Sequence, residues 1–136
     1  MRKNVLLVSA KYYPNIASNL KRDAEICLNE SKASHKIFIN SRYIEVPGVF
    51  EIPVVIAKNI KKYDAFIALG CVIKGQTPHF EFISSATTIA IMNLSVKYKK
   101  PIGNGIITCL NRKQAEIRSK IKGREAAKAV ISVLSN

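Results

Sequence analysis

The stretch Lys74-Gly75-Gln76-Thr77-Pro78-His79 sets a glycine, a threonine–proline pair and a histidine directly ahead of an apolar helical pattern. Threonine is a favoured N-cap and proline a favoured first helical residue, so a helix is expected here, running on from His79 to about Lys97. The free N–H groups and dipole of such a helix start favour an anion, with Gly75, Gln76 and Thr77 as the cradle. His79 falls in the first turn, and imidazole changes charge nearer neutral pH than any other unperturbed side chain. An anion cradle beside a proton-transfer group is equipment for carbonyl chemistry. A solvated histidine beside a cap is the competing reading, and this stretch alone leaves both open.

A second segment is as unusual. Val46-Pro47-Gly48-Val49-Phe50-Glu51-Ile52-Pro53 brackets an aromatic ring and a carboxylate between a Pro-Gly turn and a second proline. Proline restricts both itself and the residue before it, so the segment is rigid and able to present Phe50, Glu51 and backbone groups to a heterocycle or polyol. A buried structural corner is the alternative. Tyr12-Tyr13 could stack on a flat ring or simply pack. Arg118 could grip a phosphate bidentately, or be a surface arginine. His35 has no evident partner and is expected to be exposed. No dinucleotide fingerprint, Walker loop, Ser–His–Asp set or metal-ligand spacing is present.

These residues must be positioned by the elements around them. Asn4 to Ser9 and Asp64 to Cys71 are apolar runs expected of strands buried on both faces, and Lys36 to Asn40 and Ile102 to Thr108 read as two more. Helical spacing covers Asn15 to Asn29, about Val54 to Lys61, and the stretch after the last strand. With no repeat or linker, residues 1–136 read as one α/β domain with a parallel sheet and right-handed crossovers. Ligands bind beyond the carboxyl ends of such strands. That rule selects the loops Ala10–Asn15, Val46–Pro53, Cys71–His79 and Thr108–Asn111.

Composition narrows the class. Hydrophobic residues make up 48% of the 136, enough for a core. No apolar run reaches the roughly 18 residues of a membrane span, so no membrane partner is expected. The basic, briefly apolar start leads straight into Lys11-Tyr12-Tyr13-Pro14, so it reads as a first strand and the protein as cytoplasmic. Cys27, Cys71 and Cys109 are widely spaced and form no C-x-x-C pair, hence reduced, mostly buried thiols and no metal site. The formal charge of +13 raises the question of nucleic acid. Aromatic residues are not interleaved with the cations, so a solvated basic face is expected and no nucleic-acid partner.

One helix says something about assembly. Phe82 to Val96 contains no charged residue, whereas a helix on a monomer's surface should carry a charged face. A homo-oligomer covering this helix is expected.

Taken together, V-P-G-V-F-E-I-P and A-L-G-C-V-I-K-G-Q-T-P-H-F-E-F resemble the lumazine synthase family, from A-K-Y-Y-P-N-I near the start to N-G-I-I-T and Lys122-Gly123 near the end. The resemblance implies a flavodoxin-like three-layer sandwich, with a four-stranded parallel sheet flanked by helices on both faces. It also implies pentamers or multiples of them, with active sites between subunits and no metal or redox cofactor. The implied reaction condenses 5-amino-6-(D-ribitylamino)uracil with 3,4-dihydroxy-2-butanone 4-phosphate, the penultimate step of riboflavin synthesis. Carried over by motif position, His79 is the proton-transfer residue. Tyr12, Val49, Phe50, Glu51, Cys71, Val72, Ile73 and Asn104 would bind the ribitylaminouracil. Gln76, Thr77 and a neighbour's Arg118 would bind the butanone phosphate, with Gly75 and Lys122 as further phosphate contacts.

The chain also departs from the family pattern. Tyr12 stands where Phe or Trp is usual, Asn104 where many members have Phe, and Lys74 where Arg is usual. The connection between Arg118 and Lys122-Gly123 is shorter. The chain starts directly at its first strand, which favours a pentamer over a shell. Two rivals are a non-catalytic lumazine- or flavin-binding oligomer on the same fold and, more weakly, a basic nucleic-acid-binding module.

Overall fold

A computed structural model describes residues 1–136. Four strands, β1 (Arg2–Ala10), β2 (Phe38–Val46), β3 (Ala65–Ile73) and β4 (Ile102–Cys109), form one sheet in the order β2-β1-β3-β4. Every neighbouring pair is parallel. The helices α1 (Pro14–His35), α2 (Ile52–Asn59), α3 (His79–Tyr98), α4 (Arg112–Arg118) and α5 (Lys122–Leu134) return the chain between and after the strands. The expected α/β sandwich is the one observed.

The two faces of the sheet are unequal. Val5 and Leu7 of β1 with Ile67 and Leu69 of β3 point towards α1 and α5, in a core of 19 buried residues. Leu6, Val8, Phe66 and Ala68 point the other way, into a core of only 12 against α2 and α3. The thinner side has consequences for α3. Phe82, Ile89, Met92 and Val96 recur at helical spacing and are between 57% and 68% exposed. The uncharged helix therefore presents an apolar stripe that its own chain leaves uncovered.

The element limits differ from expectation where polarity misled. β2 continues to Val46 instead of stopping at Asn40, because Ser-Arg-Tyr-Ile-Glu-Val is an edge strand with alternating rather than continuous burial. α1 runs to His35 rather than Asn29. Its polar last turns are anchored by buried Ser31, whose hydroxyl donates to the carbonyls of Leu28 and Ile37, both at 2.7 Å. α2 starts at Ile52, with Pro53 in its first turn, where a missing N–H costs nothing. The last stretch is two helices, with the Asn111 side chain capping α4 by accepting from the Gln114 N–H at 2.9 Å. His35 is exposed as expected but has a partner, its Nδ1 lying 2.7 Å from the Ser34 hydroxyl.

α1 and α5 are packed closely through one glycine. A Cβ at Gly123 would collide with the Leu20 carbonyl of α1, so only glycine permits this crossing. Gly123→Ala is expected to destabilise the fold by about 1–3 kcal/mol as the helices are forced apart. Urea unfolding checks this, and an unchanged midpoint would contradict it.

Candidate active site

The carboxyl ends of β1 and β3 open into a cleft of about 340 Å³. Its shape depends on Gly70. A Cβ there would stand 2.6 Å from Val49 Cγ1 and 3.2 Å from Ala10 Cβ. Without one, the 3₁₀ turn Val49–Glu51 settles directly onto β3 and β1. Glu51 fastens the turn, its Oε1 accepting the Gly48 N–H at 3.0 Å. Val49 is thereby buried, while Phe50 stands 63% exposed on the cleft wall.

Tyr12 also lines this cleft and is 73% exposed, so two unburied aromatic rings line it. Tyr13 meets Tyr12 edge-on, with centroids 4.9 Å apart, and the Arg112 guanidinium lies 5.5 Å from the centre of the Tyr13 ring. Burial raises the Tyr13 phenol above its ordinary range, helped by Cys71 and Tyr12 and opposed by Arg112. Cys71, Val72 and Ile73 of β3 form the floor, and Gly75, Thr77 and His79 the mouth. Two aromatic rings above an apolar floor suit a planar heterocycle.

The helix at the mouth starts at His79 as expected, but its N-cap is Pro78 rather than Thr77. Thr77 stands outside the helix, its hydroxyl accepting the His79 N–H at a long 3.4 Å. The first-turn N–H groups have no acceptor within the helix, as binding of an anion would require. Gly75 has no positive φ, and nothing in the chain lies within 4 Å of where a Cβ would stand, so its place at the mouth leaves space.

Nine of the sequence-derived site residues line the cleft: Tyr12, Val49, Phe50, Cys71, Val72, Ile73, Gly75, Thr77 and His79. Glu51 is behind the wall it fastens, and Gln76 is exposed on the loop. The other three are elsewhere. The Asn104 Oδ1 accepts the Ile106 N–H at 3.1 Å on the outer strand β4. The Arg118 Nη1 donates to the Thr108 carbonyl at 3.3 Å, at the end of that strand. Lys122 lies 3.7 Å from Glu125 on α5. Tyr13, Gly48, Phe80 and Ile83 complete the lining without having been assigned to the site. For Tyr13 the doubled tyrosine was the available signal; Phe80 and Ile83 read as ordinary helix packing.

Cys71 is held in its protonated form. Burial, followed by the adjacent Cys109 thiol, pushes its pKa up to about 12. The protonated thiol is then the stable form, and only a thiolate attacks. The sign for stability follows. A thiol raised from 9.0 to about 12 contributes stability present below pH 9, which is lost as pH rises through 12. Iodoacetamide at neutral pH is expected to leave Cys71 unmodified in the folded protein. Rapid labelling of Cys71, found by mass spectrometry, would contradict that reading.

The profile of the 6,7-dimethyl-8-ribityllumazine synthase family matches residues 2–136. The chain is 41% identical to 6,7-dimethyl-8-ribityllumazine synthase 1 of Rhodopseudomonas palustris, over 96% of this chain and 83% of that one. It is 40% identical to the synthase of Bartonella tribocorum, over 99% and 91%. With that of Agrobacterium fabrum it shares 37%, over 98% and 93%. A chain matched from end to end, carrying the aromatic cleft and the histidine at its mouth, belongs to the 6,7-dimethyl-8-ribityllumazine synthase family.

Proposed function

We propose that the protein is a transferase that condenses 5-amino-6-(D-ribitylamino)uracil with 3,4-dihydroxy-2-butanone 4-phosphate. The products are 6,7-dimethyl-8-ribityllumazine, phosphate and water. The observation that carries this reading is the cleft itself, which sets Tyr12 and Phe50 over an apolar floor and His79 at the first turn of α3. The pyrimidine is held against the two aromatic rings. The phosphate is bound by Gln76, Thr77 and the helix start, where N–H groups and dipole favour an anion. Between these sites the substrate amine adds to the ketone carbonyl. His79 accepts the amine proton and returns it to the departing oxygen as the imine forms, and it serves the later proton transfers as phosphate is expelled. Cys71, held as a thiol, contributes only shape and an apolar surface.

In this reading one subunit supplies part of the site. The chain exposes Asn104, Thr108 and Arg118 at or beside the open edge of β4, away from its own cleft. Together with the uncovered stripe of α3, this supports a homo-oligomer, a pentamer or a multiple of it. There Arg118 of one subunit clamps the phosphate in the next, with Asn104 beside the ring and Lys122 a further contact.

The function is tested by mixing protein with both substrates and following lumazine absorbance and released phosphate against a protein-free control. Joint acceleration is expected; a folded protein accelerating neither would remove the assignment and favour a binding role. His79→Ala is expected to slow turnover by roughly 10²–10⁴-fold. An unchanged rate would remove the catalytic role of His79. Arg118→Ala is expected mainly to raise KM for the phosphorylated ketone, and normal saturation by it would show that Arg118 does not reach the phosphate.

A further inference from the structure

Parallel topology gathers the start of every strand at one end of the sheet, opposite the cleft. The helices α1, α2, α3 and α5 finish there. Lysines far apart in sequence meet at this end. Lys61 and Lys62 lie between α2 and β3, Lys99 and Lys100 between α3 and β4, and Lys36 follows α1. Arg2 and Lys3 open β1 beside them, with the Met1 carbonyl accepting from Phe38 N–H at 2.7 Å. The last turns of α1, α2 and α3 add Lys32, Lys58 and Lys97. Of the nine acidic residues only Glu30 and Asp64 lie near this end. The Asp64 Oδ2 is occupied by the Asn4 N–H at 2.7 Å. Lys100 is also committed, its Nζ donating to the Ile60 carbonyl at 2.7 Å. Lys61, Lys62 and Lys99 are exposed.

We propose that this end of the molecule is a docking face for an anionic lipid surface. Cations at helix C-termini are favoured by the dipole, which accounts for Lys32, Lys58 and Lys97 but not for Lys61 and Lys62 or the strand-start residues. The chemistry of the face selects the partner. It is lysine-rich, and lysine offers a point charge to a phosphate rather than a planar fork. Two large apolar side chains stand exposed at the same end, Phe38 at 46% and Val133 at 53%, and charge plus apolar contact is what a headgroup layer accepts. A nucleic-acid strand held without sequence preference needs a groove with free aromatic faces. Here Tyr63 is set edge-on against Phe66, and Lys97 lies over Tyr98. The absence of a membrane-spanning helix does not bear on a surface contact. The cleft lies at the other end of the strands, away from this face.

The test is co-sedimentation of the purified protein with vesicles of phosphatidylglycerol and phosphatidylcholine in equal parts, and with phosphatidylcholine alone. Binding is expected only to the anionic vesicles, and it should fall steeply as salt screens the charges. The triple variant Lys61→Ala, Lys62→Ala, Lys99→Ala is expected to bind roughly 100-fold more weakly, about five-fold per charge removed. Its circular dichroism melt should match that of the parent, since all three side chains are exposed. A second variant, Lys113→Ala with Lys120→Ala, removes charge from α4 and the turn after it and is expected to bind as the parent does. No binding to anionic vesicles at low salt would overturn the proposal. So would equal loss in both variants, which would indicate net charge alone, or capture of an RNA oligonucleotide with the vesicles ignored.

Discussion

The parallel alignment of β1 with β3 is the constraint from which the rest follows. Val5 to Ser9 pair in register with Ala65 to Leu69, in the middle of the sheet with both faces covered. Parallel pairing requires each strand to be followed by a return crossover, so the helices all start near one end of the sheet and finish near the other. One end therefore collects helix N-termini, loops and positive dipole, and the other collects helix C-termini and the lysines that suit them. The cleft and the basic face are two consequences of the same polarity.

Close backbone contact turns that polarity into a site. Gly70 lets the Val49–Glu51 turn settle on the sheet, Gly103 leaves room for the Ala126 carbonyl of α5, and Gly123 brings α5 against α1. Each is a place where a single carbon would move an element, and Gly70 is directly behind the cleft wall. The unequal cores add the second ingredient. With the smaller core under α2 and α3, the outer stripe of α3 remains apolar and open. In the proposed oligomer that stripe and the free edge of β4 face neighbouring copies.

How much of this was legible in the sequence depended on whether neighbours in the chain are neighbours in space. The central strands could be read because Asn-Val-Leu-Leu-Val-Ser and Asp-Ala-Phe-Ile-Ala-Leu-Gly-Cys are continuous apolar runs. The second half of β2 and the last turns of α1 were missed, because an edge strand and an exposed helix end carry polar residues that resemble a loop. Local motifs placed Val49, Phe50, Thr77 and His79 at the cleft. The sequence could not show that Asn104, Arg118 and Lys122 lie outside its lining, since that depends on the sheet order that puts β4 at the edge. The basic end was hidden for the same reason. Its lysines are scattered from Lys3 to Lys100 and meet only when the strands align.

In the proposed oligomer a working site is divided between two copies of the chain. The most direct measurement mixes His79→Ala and Arg118→Ala subunits, dissociates and reassembles them together, and assays at limiting phosphorylated ketone. If Arg118 acts across a subunit boundary, random hybrids should restore about a quarter of the parent sites, the chance that an intact His79 meets an intact Arg118. Activity no greater than the sum of the two variants assembled separately would place both residues in one chain's site and contradict the account.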